Sequence, residues 1–331
     1  MVKYNLTKMD WNNEYNWDLD IVRDLINHYF EHSSLLINLN DDGLDVTESG
    51  LEDILEMLDV ITDGCPVSIY NANLLKSDTA YNDIYMYNPS FLKRCQLQIE
   101  VKKNITRTFC MFSGRPSWDR LALGSWLFNN ANGNCTQSFH GCTGLYPNFE
   151  NTARVSIGVE FDTLCKHAIQ EVNISDVLKF IDSLPIQIGH LASGRFTSNN
   201  PLLLEEVYKD SFVEIVAETA KVGTVFFPTE KTFRPILFRT PFIIFGPVNF
   251  LKNLKKLGFK TFDKWFNETY DTITDDNQRL VEVQNTMAEV NKWSFNEVQL
   301  VYTEMLDTMQ HNYDTMMLLT SADFNRDRFN E

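Results

Sequence analysis

The chain has 331 residues and a mass of 38.4 kDa, room for two compact domains or one large one. Hydrophobic residues make up 44% and aromatics 13%, enough for packed cores, which excludes a disordered chain. Against 45 Asp and Glu stand only 29 Lys and Arg, a formal net charge of −16. So acidic a surface argues against unspecific affinity for nucleic acid or anionic membrane, although a local basic cleft stays compatible with it.

The first twenty residues are polar and acidic, without a basic head and apolar core, so no signal peptide is expected. The most apolar stretch, Pro235 to Leu251, is interrupted by Arg239, Pro241, Gly246 and Pro247 and is too short to span a bilayer. These features predict a cytoplasmic protein that does not contact membranes. Six cysteines (65, 95, 110, 135, 142, 165) form no CxxC pair, which predicts reduced thiols.

Ser34–Asn40 is a short apolar run closed by the turn Asp41-Asp42-Gly43 and predicts a buried strand. A helix capped by Thr47 follows, with Leu51, Ile54, Leu55, Leu58 and Ile61 at helical spacing, and then a strand at Cys65–Tyr70. This strand–helix–strand unit predicts a parallel α/β sheet. The pattern restarts with a strand at Arg107–Ser113, a turn at 114–117 and a helix at Trp118–Phe128, broken by Asn129–Asn134. Next come a helix at Ser175–Leu184 with Ser175 as N-cap, a strand at Phe212–Ala217, a helix at Glu230–Phe238 and a strand at Pro241–Phe245. A basic helix at Phe250–Leu257, a strand at Phe259–Phe262 and helices near 275–290 and 294–319 complete the chain. Val298, Val301, Met305, Met309, Tyr313 and Met316 give the last helix an apolar stripe.

Two α/β segments predict two facing Rossmann-like domains, 1–105 and 106–290, with a ligand site in the cleft between them. The helical segment 291–331 is expected to return to the N-terminal domain. Ligands in such sheets bind beyond the carboxyl ends of the strands.

The sharpest element is Thr229-Glu230-Lys231-Thr232-Phe233-Arg234, which opens a helix. Thr229 suits the N-cap and Glu230 the positive end of the helix dipole, while Lys231 and Arg234 bring two cations to one face. Free backbone N–H groups with two cations make a diphosphate site, and a neighbouring carboxylate can accept from ribose hydroxyls. The bland alternative is a capped helix with solvated charges. In Gly114-Arg115-Pro116-Ser117-Trp118-Asp119-Arg120, Arg115 and Arg120 stand between a strand end and a helix start, where they can face a phosphate; a local Arg115–Asp119 ion pair is the alternative.

Asp41 and Asp42, at the end of the first strand, occupy the place of a general base, or are merely a turn. Cys135, His140, Cys142, Cys165 and His167 are zinc-ligand types at spacings that fit no common zinc motif, and Asp18-x-Asp20 is remote from any sheet edge, so no metal is expected. No G-x-G-x-x-G, Walker loop, G-x-S-x-G or H-E-x-x-H occurs, which removes the main support for dehydrogenase, P-loop, serine-hydrolase and zincin readings.

The runs SFVEIVAET and FFPTEKTFRPILFRTPFIIFG resemble the donor-binding half of the α1,3-fucosyltransferase-like glycosyltransferases. With SGRPSWDRLAL and FLKNLKKLGFKTFDKWFNETYD, the chain is similar over about residues 106–290 to glycosyltransferase-like proteins of large bacteriophages and viruses. The resemblance implies a GT-B-like enzyme, nucleotide-sugar dependent, in which Glu230 binds the donor ribose, Lys231 the diphosphate, and Glu218 ends the preceding strand. Phe227 replaces the family's Tyr and Thr219 its Asn, so no particular sugar or base is carried over. The implied acceptor is a hydroxyl, either on a hydroxymethylated base of phage DNA, approached through Lys252, Lys255, Lys256 and Lys260, or on a glycan or protein. A non-catalytic nucleotide-binding protein is the alternative from another class.

Overall fold

The computed structural model describes residues 3–5, 35–39, 67–71 and 82–85 of the first hundred, and everything from 101 onward except 103, 114–115, 132, 140–148, 168–171, 187, 189–203, 222–224, 325–327 and 330–331. The N-terminal strands are β1 (Lys3–Asn5), β2 (Leu35–Leu39), β3 (Val67–Asn71) and β4 (Asn82–Tyr85). They pair in sequence order, all parallel, with Leu35 opposite Val67 and Ser68 opposite Asn82. The strands foreseen at 34–40 and 65–70 are therefore present in a parallel sheet. The helix after Thr47, Asp18 and Asp20 lie outside the described residues.

The second sheet contains β5 (Arg107–Ser113), β6 (Cys135–Phe139), β7 (Ser211–Ala217) and β8 (Phe242–Phe245), in the order β6-β5-β7-β8 and all parallel. Helix α1 (Trp118–Asn130) links β5 to β6. Helices α2 (Phe149–Lys166), α3 (Ile174–Asp182) and α4 (Glu205–Asp210) lie between β6 and β7, and α5 (Glu230–Leu237) leads from β7 to β8. Beyond β8 come α6 (Phe250–Lys256), α7 (Asp276–Asn291) and α8 (Phe295–Leu318). This is a Rossmann-like α/β unit: β7 and β8 are buried along their whole length, as parallel strands covered on both faces must be. Among the described residues no helix is long and apolar enough to cross a membrane.

Several local expectations change. Helix α3 is capped by Asn173, not Ser175; the Asn173 Oδ1 accepts from the Ser175 backbone N–H at 3.0 Å and from its hydroxyl at 2.8 Å. The polar segment after 134 forms strand β6, which the sequence pattern does not announce. Residues 259–262 are not a strand. Their backbone is met by side chains: Lys260 N–H donates to Asn312 Oδ1 (2.7 Å), Asn312 Nδ2 donates back to the Lys260 carbonyl (2.8 Å), and Phe262 N–H donates to Glu268 (2.7 Å).

Helix α8 opens with a capping box between Ser294 and Glu297. Of the expected stripe, Val298, Met305, Met309 and Met316 are buried in the same hydrophobic core as α5 and β8, Val301 and Tyr313 are half-buried beside it, and Tyr302 takes a buried place that the stripe did not include. The Tyr302 hydroxyl accepts from the Lys102 backbone N–H at 3.4 Å, which fixes the start of this unit against its last helix. Any packing of α8 on the N-terminal strands lies outside the described residues.

Candidate functional site

Strand order fixes where a ligand meets this sheet. From β5 the chain moves to β6 on one side and then returns to β7 on the other. The two connections leave in opposite directions, the arrangement in which α/β sheets place ligands outside the carboxyl ends of the two strands, here β5 and β7. The start of α1 follows β5 at that edge and the segment 218–221 follows β7.

Glu218 is the hub of the site. It is 1% exposed, and both carboxylate oxygens are fully used. Oε1 accepts from the Thr229 backbone N–H (3.1 Å) and the Thr232 hydroxyl; Oε2 accepts from the Thr229 hydroxyl (2.6 Å) and the Thr219 backbone N–H (3.1 Å). A buried carboxylate is tolerable only when its charge is answered in this way. The side chain therefore organises the α5 N-terminus and, as it stands, has no acceptor position left for a ribose.

Thr229 caps α5, its hydroxyl accepting from the Lys231 backbone N–H at 3.3 Å. The Lys231 ammonium touches Thr219 Oγ1 (3.0 Å), Thr229 Oγ1 (3.3 Å) and Glu230 Oε1 (3.0 Å). Thr219 is thus a partner of the doublet's cation. The Glu230 and Lys231 side chains are 35% and 19% exposed, so the doublet lies at the sheet edge in partial contact with solvent. Partial burial pushes the Glu230 carboxyl up, but the charge and hydrogen bond of Lys231, with Arg234 beyond, outweigh it and hold the group below its ordinary value.

Arg120, in the first turn of α1, reaches across to the carbonyls of Ala217 (3.3 Å) and Glu218 (3.5 Å). Arg120, Glu218, Thr229, Glu230 and Lys231 are thereby joined in one hydrogen-bonded chain from α1 to α5. Arg234 is not part of it. Its guanidinium donates to Glu214 in the middle of β7 and to the Tyr208 hydroxyl (2.9 Å), and lies 4.9 Å from the Phe112 ring centroid. The Glu214 carboxylate raises the Arg234 pKa further, against burial. The predicted second diphosphate cation is instead the counterion of a buried acid, so Lys231 and Arg234 do not converge on one ligand position. Arg115, Asp41 and Asp42 lie outside the described residues.

Several residues of the site escape a sequence reading. Asp119 is fully buried and pairs with Lys221, 2% exposed and 102 residues away. Burial pushes the Asp119 carboxyl up, but Lys221, Arg120 and the nearby Ser117 hydroxyl hold it below its ordinary range. The Trp118 ring above this pair stacks on His167 (centroids 4.2 Å apart), and the Trp118 backbone N–H donates to the buried Glu160 (2.8 Å). Arg279 of α7 donates to the carbonyls of Gly246 (2.9 Å) and Lys221 (2.8 Å), tying the end of β8 to the segment after β7. The one sequence signal for Lys221 is its place three residues beyond an acid that ends an apolar strand.

Among the described residues no group of three or more His, Cys, Asp or Glu could hold a metal ion, and Cys110, Cys135 and Cys165 are free thiols. Of the lysines considered for DNA, Lys255 pairs with Asp263 (2.8 Å) and Lys256 donates to the Phe329 carbonyl (3.0 Å). Comparison of the chain with protein-family models, with curated proteins and with solved structures gives no match.

Proposed function

We propose that the chain is a glycosyltransferase that takes its sugar from a nucleoside diphosphate sugar, bound at the carboxyl edge of the β6-β5-β7-β8 sheet. The observation that carries the reading is the Glu230–Lys231 pair, half-buried at the start of α5 and joined through Glu218 to the first turn of α1. An ammonium resting on two hydroxyls and one carboxylate can exchange these for the oxygens of a diphosphate, and the helix N-terminus adds its dipole. The freed Glu230 carboxylate then accepts from the ribose hydroxyls. Arg120 comes from the first turn of α1, against the diphosphate's second charge. As the bond from the anomeric carbon to the diphosphate breaks, negative charge grows on the leaving oxygen, where Lys231 and Arg120 stabilise it.

In the proposed GT-B arrangement, residues 1–105 form the facing acceptor domain. A carboxylate there, Asp41 or Asp42, takes the proton of the attacking hydroxyl. The acceptor is a hydroxyl of a glycan, a protein or a hydroxymethylated DNA base, and the enzyme works in the cytoplasm, of the host if the chain is viral. The test is calorimetric titration with uridine, guanosine and cytidine diphosphate sugars, followed by donor turnover. Wild type is expected to bind one nucleotide class, and Lys231→Ala to lose about 10²–10³ in turnover. Failure of all three classes to bind, or full turnover in Lys231→Ala, would overturn the proposal.

One observation favours a second reading, a nucleotide-binding protein without transferase activity. Glu218 has every acceptor position filled and Glu230 is paired to Lys231, so neither is a general base as placed. That reading predicts tight nucleotide binding with no donor turnover in the presence of any acceptor hydroxyl.

A further inference from the structure

The turn that carries Thr229, Glu230 and Lys231 is held from two sides. Glu218 holds its polar side, through the Thr229 backbone N–H and the Thr229 and Thr232 hydroxyls. Its apolar side is set by two buried rings that bracket the doublet in the chain: Phe226, just before Pro228 and Thr229, and Phe233, just after Thr232. Each ring has a partner from the body of the unit. Phe226 meets Phe250 of α6 with centroids 5.2 Å apart, and Phe233 meets Phe259 at 5.8 Å.

Each ring also has a partner from the chain beyond α8. Phe329 stands 5.1 Å from Phe226, and Phe324 stands 6.3 Å from Phe233. Both are buried as deeply as the core they touch. Polar bonds guide them there. Asp323 accepts from the Thr320 backbone N–H and hydroxyl, each at 2.8 Å, at the start of the short 3-10 helix Ser321–Phe324. Lys256 of α6 donates to the Phe329 carbonyl at 3.0 Å. These residues belong to neither sheet, so they can loosen while strand pairing stays intact.

We propose that Phe324 and Phe329 are positioning residues of the nucleotide site: the chain beyond α8 is an aromatic strap that keeps Phe226 and Phe233 seated, and so keeps the Thr229–Lys231 turn in the form that meets a diphosphate. The inference rests on the transferase reading and adds to it the residues that set the site's geometry from behind. The strap rings act through Phe226 and Phe233, not on the ligand. With one of them removed, a face of its partner ring loses packing that the surroundings restore only in part. The turn between the two rings is then out of place part of the time, and the apparent affinity falls with the competent fraction.

The test reads the turn and the ligand separately, in wild type, Phe324→Ala, Phe329→Ala, Phe329→Leu and, as a control, Phe180→Ala, which removes an equally buried ring from α3. Amide hydrogen exchange follows the Thr229, Lys231 and Thr232 N–H groups, which bond to Glu218, the Thr229 hydroxyl and the Thr229 carbonyl, with no ligand added. Calorimetry measures the binding of uridine, guanosine and cytidine diphosphates. Phe324→Ala and Phe329→Ala are expected to speed exchange at these amides about tenfold or more beyond any change in β5 and β7, and to weaken nucleotide binding about tenfold. Phe329→Leu, which refills most of the gap, is expected to recover most of both. Phe180→Ala is expected to lower the melting temperature without either change at the turn. Exchange at the turn that rises only in step with the strands overturns the inference, and so does a Phe180→Ala that weakens binding as much as Phe329→Ala. Should the alanine variants fail to fold, Phe329→Leu decides: a smaller shift of the same sign at the turn supports the strap, and none overturns it. A wild type that binds no nucleotide overturns the transferase reading, while the exchange result still decides whether the strap holds the turn.

Discussion

The buried pair Asp119–Lys221 offers the most direct measurement of how this edge of the sheet is held. Replacing Lys221 with Met keeps most of the side-chain length and removes the charge. Asp119 Oδ1 then loses its partner, so a fully buried carboxylate is left with Arg120 as the nearest compensating charge. Removing one partner of a buried pair costs about 3–5 kcal/mol, because the survivor stays desolvated. In a unit of about this size each kcal/mol lowers the melting temperature by roughly 2–4 °C, so Lys221→Met is expected to melt about 6–20 °C below wild type. The double variant Asp119→Asn with Lys221→Met removes both charges and is expected to recover a large part of the loss. The pH dependence has a definite sign. The folded carboxyl sits below its ordinary value, so the pair's contribution is present above about pH 4 and fades as acid protonates Asp119. The gap between wild type and Lys221→Met is therefore widest near neutrality and closes below that point. Melting curves of the three proteins across pH 3–8 test this, and a Lys221→Met shift below about 2 °C at pH 7 would refute it.

Gly124 in α1 is a second test, since a Cβ there would stand 2.8 Å from Cζ of the fully buried Phe180. Gly124→Ala gains about 1 kcal/mol of helix propensity but pays about 1–3 kcal/mol for overpacking, so a net loss of stability is expected in urea unfolding. Burial lowers the Lys102 pKa to about 7, while its ammonium donates to the Ser211 carbonyl (2.5 Å) and Thr240 Oγ1 (2.7 Å). Between about pH 7 and 10 the unfolded chain holds this proton and the folded one releases it, so stability rises with pH by up to about 1.4 kcal/mol per unit. Lys102→Met is expected to lack that slope when its unfolding free energies are subtracted from those of wild type over the same range. Thr232→Val deprives Glu218 of one of its four donors and is expected to cost about 1–3 kcal/mol in the same assay.

The legible parts of the fold are those whose signal is local. Strands β5, β7 and β8 are buried on both faces and read as continuous apolar runs, and α8 shows its stripe because one face of a long helix is buried. Strand β6 lies at the sheet edge with Cys135, Thr136 and Gln137 only half buried, so Cys-Thr-Gln-Ser-Phe carries no apolar run to read. The reverse error at 259–262 has the same origin: Phe259 and Phe262 are buried as strand residues would be, but backbone pairing depends on Asn312 and Glu268, which no short window contains. The site divides along this line too. Thr229, Glu230 and Lys231 are neighbours in the chain and cap their own helix. Arg234 has its acid 20 residues away and Asp119 its base 102 away, so a local reading points the first at a ligand and offers the second only Arg115, as one of two alternatives.

These distant pairs also explain why one helix start can be spared for a ligand. A cation at the carboxyl edge of a parallel sheet is open to exchange only if the acids around it are otherwise satisfied. Glu214 is met by Arg234 and Tyr208, Asp119 by Lys221, and Glu218 by two threonine hydroxyls and two backbone N–H groups. Each buried carboxylate near this edge thus has its own donors, and none of them draws on Lys231. The acid that Lys231 does hold, Glu230, is the most exposed of the four and sits at a helix N-terminus that adds to the stabilisation of its charge. Parting Glu230 from Lys231 therefore costs less than parting any buried pair, and it frees one acceptor and one cation side by side. A nucleoside diphosphate, with ribose hydroxyls next to phosphate oxygens, demands that combination.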